Sequence, residues 1–318
     1  IIGKNTVRFI ERFSNILNIN SSVLITGETG TGKELVARWI HFNDLKRKSK
    51  PFVKITIPNI GENIFESEVF GYEKGAFTGA VASKNGLVEI SEDGTLFFDE
   101  IENASPLIQS KLLQLFEDRL YRKVGDTRYK KTDSRFIVST NIDLQEQIKR
   151  NLFRSDLYYR LAIIEVSLPP LRARDRDILE ISNYFIKKYS DEVGKKIDLL
   201  KEKDFKQLQM HTWPGNIREL KNFIERAVIF SEGNRIDLPS LLTEVTAAHT
   251  TDISGYLNDQ TASPSACSYK EYMRQKEQEF LQNALSKCDG NIGQTAKLID
   301  MSVPFVYKRI KELGIQNL

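Results

Sequence analysis

The 318-residue sequence predicts an α/β fold, a parallel sheet with helices on both faces, followed by helical segments and a small all-α C-terminal domain. Three observations lead there. Short apolar runs alternate with stretches of helical spacing in the first half, the pattern of a parallel sheet buried on both faces. After Pro169-Pro170 the strand-like runs cease and helical spacing takes over. From about 241 to 268 the composition shifts to Thr, Ser, Ala, Asp and Asn, as in a flexible linker, and helical spacing then returns.

In chain order, Ile10, Phe13 and Leu17 share one face of a helix over 6–18. Val23-Leu24-Ile25-Thr26 reads as a buried strand, followed by a Gly-rich turn and a helix from Glu34 to Phe42. A basic loop, Lys46 to Lys50, leads to a second strand, Phe52 to Ile57. Thr95 to Asp99 and Phe136 to Ser139 supply a third and a fourth. Helices follow at about 176–193, 201–211 and 216–231, then near 269–287, 292–299 and 303–313. The expected organisation is an α/β nucleotide-type domain over 1–168, a helical subdomain over 169–240, a linker over 241–268 and a final domain over 269–318.

Composition narrows the class. Lys plus Arg number 46 and Asp plus Glu 43, a net charge of +3, so nucleic-acid binding must come from a local patch. A hydrophobic share of 40% with 28% charged residues supplies a core and excludes disordered, collagen-like and disulfide-stapled chains. No apolar run approaches the roughly 18 residues that cross a bilayer, and the charged first stretch is no signal peptide, so no membrane and a cytoplasmic location are expected. Two cysteines (Cys267, Cys288) and three histidines (His41, His211, His249) lack metal-ligand spacing, against a protein-built zinc site. An opening Ile1 in place of Met fits a fragment of a longer protein.

Gly27-Glu28-Thr29-Gly30-Thr31-Gly32-Lys33 joins the first strand to its helix. In that context the glycines let backbone N–H groups wrap phosphate oxygens, the helix N-terminus faces the anion and Lys33 reaches the terminal phosphates. Residue 34 is Glu where the strict motif has Ser or Thr. Asp99 and Glu100 end a central strand, on the edge of a parallel sheet where ligands bind. There Asp99 can hold Mg²⁺ through water and Glu100 can polarise an attacking water. The pair turns the reading towards a nucleoside-triphosphate hydrolase.

Gly75-Ala76-Phe77-Thr78-Gly79-Ala80 follows Glu68-Val69-Phe70-Gly71-Tyr72-Glu73. With GETGTGKE at 27–34, TLFFDE at 95–100, STN at 139–141, FRSDLYYRL at 153–161, LPPLRARDRDI at 168–178 and WPGNIREL at 213–220, the chain resembles the bacterial enhancer-binding proteins. These are AAA+ activators of sigma-54 RNA polymerase, built from a phosphate-loop domain with a parallel sheet and a helical lid. The family commonly has Glu at position 34. The resemblance implies ATP and Mg²⁺ as cofactors, with Gly27 to Glu34 on the phosphates, Asp99 and Glu100 as the metal and water-activating pair, and Asn141 as a sensor of the terminal phosphate. It implies that Arg154 and Arg160 enter a neighbour's site, that Arg218 in the lid is a second sensor, and that subunits form hexameric or heptameric rings. Gly75, Ala76, Phe77, Thr78, Gly79 and Ala80 would form the sigma-54 contact, and Ile2 and Gly3 resemble a segment that touches adenine. Members often carry a sensory or receiver domain ahead of this core, which brings two-component signalling with it.

At the C-terminus, Ala296, Ile299, Met301, Val306, Ile310 and Leu313 space two short helices around a turn at Asp300–Ser302, a helix-turn-helix pattern. Ser302 caps the second helix, Pro304 lies in its first turn, and Tyr307, Lys308, Arg309 and Lys311 give it a basic side. The module resembles the Fis-type DNA-binding domain, which implies Ser302, Val303, Phe305, Tyr307, Lys308 and Arg309 as the DNA-facing set and a dimer on upstream double-stranded DNA. The family often has Gly at 300 and Arg at 303, where this chain has Asp and Val. The implied function is an ATP-hydrolysing activator that remodels sigma-54 promoter complexes. The alternatives are a DNA-binding regulator whose AAA+ region binds nucleotide to control assembly without remodelling, and an AAA+ replication initiator or loader, which has no reason to carry GAFTGA.

The family usually ends the second strand with Asn-Cys, where this chain has Thr56-Ile57. The Asn restrains the catalytic Glu, and Thr offers a shorter reach. Thr56→Asn is expected to lower ATP hydrolysis measured without sigma factor; an unchanged rate would count against a loosened restraint.

Overall fold

Consecutive residues of each long strand point to opposite faces, and both faces are covered. The computed structural model describes residues 3, 6, 10–11, 13–174, 177–231, 233–239, 241–242, 278, 281–282, 284–285, 288, 290–298 and 303–313. Its elements are β1 (Val23–Thr26), α1 (Lys33–Asn43), β2 (Phe52–Thr56), α2 (Glu62–Val69), β3 (Gly71–Tyr72), β4 (Lys84–Asn85), α3 (Leu87–Ile90), β5 (Thr95–Asp99), α4 (Pro106–Asp118), β6 (Leu120–Tyr121), β7 (Lys130–Lys131), β8 (Arg135–Thr140), α5 (Leu144–Lys149), α6 (Ser155–Leu161) and β9 (Ile164–Ser167). Helices α7 (Asp177–Val193), α8 (Glu202–Met210), α9 (Asn216–Phe230), α10 (Ile292–Leu298) and α11 (Val303–Leu313) complete the list. The chain divides into two units, Ile1–Thr246 and Ala247–Leu318.

The main sheet has the order β2-β5-β8-β1-β9, all pairs parallel. Leu24, Leu96, Phe98, Phe136 and Val138 face one core, which α2, α4 and α6 cover through Phe65, Leu112, Leu115 and Leu157. Val23, Ile25, Phe97, Ile137 and Val166 face the other, covered by Val36, Ala37 and Ile40 of α1 and by Ile10. The register aligns the carboxyl ends: Thr26 pairs with Thr140 and with Ser167, and Thr56 with Asp99. The strand order places β8 between the phosphate-loop strand and the acidic strand. Helix α4 starts cleanly because Pro106 is at its first position and Ser105 Oγ accepts from the Ile108 N–H.

Strand β9 was not foreseen. It lies at the sheet edge, and of its four residues only Val166 is buried, so no apolar run announces it. Strand β8 begins earlier than expected, at Arg135, whose side chain is fully buried. Of the helix expected over 6–18, the described Thr6, Ile10 and Glu11 are helical, and the segment ends in a 3₁₀ turn at Ser14–Ile16. Its carbonyls and the following one are anchored from the sheet: Arg135 Nη2 donates to Ile16 O at 2.6 Å and Nη1 to Leu17 O at 2.5 Å. The charge is balanced by Asp44, also fully buried, at 3.1 Å from both Arg135 and Arg47.

Helices α7, α8 and α9 pack around Trp213, Leu208, Leu220, Ile224 and Ile186. Trp213 Nε1 donates to Leu208 O at 2.7 Å, which locks the turn between α8 and α9. In the second unit, α10 and α11 share a small core of Leu281, Leu285, Ala296, Val306, Ile310 and Leu313. Asn291 caps α10, its Oδ1 accepting from the Gln294 N–H at 3.1 Å. The linker from 243 onward, residues 269–277, Ile2, and the turn with Asp300 and Ser302 lie outside the described residues. Among the described residues no helix is long and apolar enough to cross a membrane.

Removing one member of a buried ion pair strands the other charge, at a cost of about 3–5 kcal/mol. Asp44→Ala is therefore expected to destabilise the first unit by about that amount, read as a lower urea midpoint; a change below about 1 kcal/mol would show that Arg135 needs no counter-charge.

Candidate nucleotide site

The phosphate loop leaves β1 at Gly27 and ends at Lys33, the first residue of α1. Gly30 takes φ +80°, and a Cβ there would stand 2.2 Å from Gly215 O, so only glycine allows the loop to approach the lid. Five successive carbonyls of the loop find donors. Lys33 Nζ donates to Gly27 O at 2.7 Å and Glu28 O at 3.1 Å, Asn216 Nδ2 to Thr29 O at 3.0 Å, the Ile217 N–H to Gly30 O at 3.0 Å, and Arg174 Nη2 to Thr31 O at 2.7 Å. Three of these five are held from the lid.

Asn216 is fully buried in a left-handed conformation, φ +53°. Its Oδ1 accepts from the Leu171 N–H at 2.7 Å while Nδ2 also donates to Glu28 Oε2 at 3.1 Å. Arg172 grips both Glu28 oxygens, Nη1 at 2.8 Å and Nη2 at 2.5 Å. The Arg172 hydrogen bond, then that of Asn216, holds the Glu28 carboxyl far below the usual range, at about 2.

The sheet brings Asp99, Glu100 and Asn141 to the same edge. Asp99 accepts from Ser139 Oγ and, through Oδ2, from Lys54 Nζ at 2.8 Å. Lys54 Nζ also donates to Glu34 Oε2 at 2.7 Å, and Glu34 pairs in addition with Arg38 at 2.8 Å. Burial opposes the Lys54 charge, but the bonds to Asp99 and Glu34 outweigh it and its pKa is raised. Lys33 is the reverse case. Burial dominates and lowers its pKa, although Asp99, Glu102 and Glu100 all favour the ammonium and Arg218 opposes it. Glu100 sits at φ +59°, a strained conformation for a side chain of this size, at the point where the acidic strand ends.

No hydrogen bond joins Thr56 to Glu100 among the described residues. The Asn103 amide instead lies 3.5 Å from Glu100 Oε2. Asn141 follows β8 and shares a cavity of about 380 Å³ with Gly27 and Glu28. Its N–H donates to Glu102 Oε1 at 3.3 Å. A second cavity of about 440 Å³ adjoins Thr31 and Gly32 and is lined by Ile10, Leu35, Val36, Leu168, Tyr184 and Ile217. Its mainly apolar wall suits a flat heterocycle. Gly3 is buried against Asp177, whose Oδ2 accepts from the Thr6 N–H at 2.7 Å.

Arg218 is exposed beside Gly30. Arg154 caps α6 and Arg160 lies in its last turn, both on the surface, where Arg154 pairs with Asp156 at 2.7 Å and Arg160 with Glu117 at 3.0 Å. Neither is bonded to the phosphate loop. The buried Gln109 fixes the backbone at Arg154: its Oε1 accepts from the Arg154 N–H at 2.9 Å, and its Nε2 donates to Ala104 O and Leu152 O. Residues 75–80 form a tight loop between β3 and β4, closed by the Gly75 N–H on Ala80 O at 2.9 Å. Phe77, 47% exposed, leans edge-on against Tyr72 with ring centroids 5.0 Å apart. In α11, Val303 and Tyr307 are exposed and Arg309 is half-buried, while Phe305 and Lys308 lie within the helix.

Sequence reading missed Lys54, Glu102, Gln109, Arg172, Arg174 and the buried Asn216. Arg172, Arg174 and Asn216 fell within recognised words, but nothing local said what they touch. Lys54 had a signal: it is a lone cation in an otherwise apolar strand segment, two positions before the strand's end.

A phosphate loop on an inner strand, acids on the strand two places away and a helical lid docked on the loop define the AAA+ class of nucleotide-binding proteins. Family models agree along the chain: the sigma-54 interaction domain matches residues 2–167, the AAA+ ATPase lid domain 172–255, and the Fis family of bacterial regulatory proteins 272–313. The chain belongs to the sigma-54 interaction domain family of enhancer-binding proteins. It is similar to the regulatory protein AtoC of Escherichia coli, 39% identical over 93% of this chain and 63% of AtoC. It is similar also to LuxO of Vibrio cholerae, 36% identical over 92% of this chain and 64% of LuxO. The chain thus spans less than two thirds of either relative. Among solved structures, NtrX from Brucella abortus in complex with ADP aligns with a TM-score of 0.67 and 31% identity, over 99% of this chain and 69% of that one.

The Glu28–Arg172 contact predicts a pH signature. Because the folded pKa of Glu28 is depressed to about 2 from 4.5, its contribution is complete above about pH 4.5 and is lost as pH falls towards 2. The thermal stability of the wild type is expected to exceed that of Arg172→Ala at pH 6, with the gap narrowing as pH falls from about 4.5 towards 2. A gap constant over that range would mean that Arg172 does not act through the Glu28 charge.

Proposed function

We propose that this chain is the ATP-hydrolysing core and DNA-binding end of a sigma-54-dependent transcription activator. The observation that carries the reading is the convergence, at one sheet edge, of the phosphate-loop Lys33 with Asp99, Glu100 and Asn141, under a lid bonded to that loop. The ADP bound by the NtrX relative supports a nucleotide here, with the base in the cavity beside Gly32 and the phosphates along residues 27–33.

On ATP binding, Lys33 leaves the Gly27 and Glu28 carbonyls for the terminal phosphate oxygens, and backbone N–H groups of the loop take the remainder. Glu100 accepts a proton from the attacking water as the new P–O bond forms and ADP departs with the electrons of the old one. Asn141 holds the terminal phosphate, and Arg218 carries its presence to the lid. Among the described residues no group of three or more His, Cys, Asp or Glu could hold a metal. The donor present, Asp99, nonetheless fits Mg²⁺, which is usually bound by one or two carboxylates together with substrate phosphates. Mg²⁺ so held would neutralise phosphate charge.

Arg154 and Arg160 stand on the surface, as arginines serving a neighbouring subunit must, and support assembly into a hexameric or heptameric ring. The half-exposed Phe77 at the 75–80 tip is the sigma-54 contact, and α11 is the element offered to upstream double-stranded DNA by a dimer. The activity is exercised in the bacterial cytoplasm.

The test is ATP hydrolysis against protein concentration. Specific activity is expected to rise with concentration, to be abolished in Glu100→Ala and to be largely kept in Phe77→Ala, which loses sigma-54 promoter opening. Activity that is flat with concentration and indifferent to Glu100→Ala would overturn the ring mechanism in favour of a nucleotide-sensing DNA-binding regulator.

A further inference from the structure

We propose that Lys54 is a built-in competitor for the divalent cation: its ammonium occupies the position between Glu34 and Asp99, and Mg²⁺ gains Asp99 only as Lys54 withdraws to Glu34. The inference rests on the reading of this site as one for Mg-ATP and concerns how the metal is admitted.

The sheet constructs the arrangement. Lys54 is paired directly with Phe97 across β2 and β5, so the two side chains share a face. Asp99 is two residues beyond Phe97 and returns to that same face. The Lys54 stem crosses the Phe97 ring, with Nζ 5.9 Å from its centroid, and ends 2.8 Å from Asp99. Helix α1 covers this face and delivers Glu34 to 2.7 Å from the same nitrogen. Lys54, Asp99 and Glu34 are all partly shielded from water, with side-chain exposures of 31%, 17% and 36%. The pairing is therefore set by strand register and helix packing, unlike a solvated surface pair.

Both Asp99 oxygens are engaged. Oδ1 accepts from Ser139 Oγ and Oδ2 from Lys54. Each oxygen retains a second lone pair, so the conflict with a metal held through water at Asp99 is one of charge. Lys54 is the exchangeable partner, because Glu34 offers it a second position without leaving the cluster. It is also the partner that must yield, since an ammonium held against Asp99 repels a dication at the same carboxylate. Lys33 does not do this duty, since its ammonium is bonded to Gly27 O and Glu28 O. Glu34, where the strict phosphate-loop motif has a hydroxyl, thus acquires a role: it receives the displaced ammonium.

The experiment titrates MgCl₂ into the chelator-treated full chain with N-methylanthraniloyl-ADP and follows fluorescence anisotropy, a binding readout independent of turnover. Lys54→Met is expected to lower the Mg²⁺ concentration at half-maximal effect by about three- to tenfold. Lys54→Arg keeps the charge and should stay near wild type. Glu34→Gln removes the second position and should raise the midpoint. Lys54→Gln serves as the neutral variant should Lys54→Met fail to fold, as judged by its circular dichroism. An unchanged or raised midpoint in the neutral variants, with ADP analogue still bound, overturns the competition while leaving the nucleotide reading intact. Absence of analogue binding by the wild type at any Mg²⁺ concentration overturns the nucleotide reading and this inference with it.

Discussion

A loop that turns its N–H groups inward to hold phosphate must turn its carbonyls outward, and those carbonyls need donors of their own. In this chain the lid supplies them at Thr29, Gly30 and Thr31, through Asn216, Ile217 and Arg174. The loop is shaped by the lid as much as by its own glycines. Anything that moves the 215–218 segment changes the donors of the phosphate loop, and a phosphate that reshapes the loop must be felt at α9. The contact between phosphate loop and lid is thus built from hydrogen bonds to main-chain carbonyls, two of them donated by side chains, with the buried Asn216 at their centre. The left-handed conformation of Asn216 is the local strain that the arrangement sustains.

Charge at the site is distributed by the same logic. Glu28, Glu34 and Asp99 are spread over three elements, and each is met by a cation: Glu28 by Arg172 before the lid helices, Glu34 by Arg38 on the same helix and by Lys54 on β2, and Asp99 by Lys54. Lys33 is bonded to carbonyls instead. The carboxylates are therefore neutralised without a hydrogen bond from Lys33. Burial already depresses the Lys33 pKa, and incoming phosphate charge restores a favourable environment for its ammonium.

Away from the nucleotide, Gln109 carries the comparable burden. It ties α4 to the Arg154 backbone, so the surface arginine is presented from a fixed point even though its side chain is exposed. The 75–80 loop contrasts with this. A Cβ added at Gly75 or Gly79 would meet nothing within 4 Å, and the half-exposed Phe77 leans on Tyr72.

The sequence by itself determined the strands and helices with strong periodicity, the phosphate loop, the acidic pair, the loop at 75–80 and the paired helices α10 and α11. These are local: an apolar run, a glycine spacing or a capped helix is written in adjacent residues. It missed β9, because an edge strand with one buried side chain has no apolar run to reveal it. The helix read over 6–18 ends instead in a turn at Ser14–Ile16, which is held by Arg135, 119 residues away. Tertiary structure alone decided which partners the site residues have. Glu28 meets Asn216 across 188 positions and Arg172 across 144, and Lys54 reaches Asp99 because strand order sets β2 beside β5. Hydrogen bonds and ion pairs act over a few ångströms whatever the sequence separation, so the pairing of these charges appears only once the sheet order and the lid are in place.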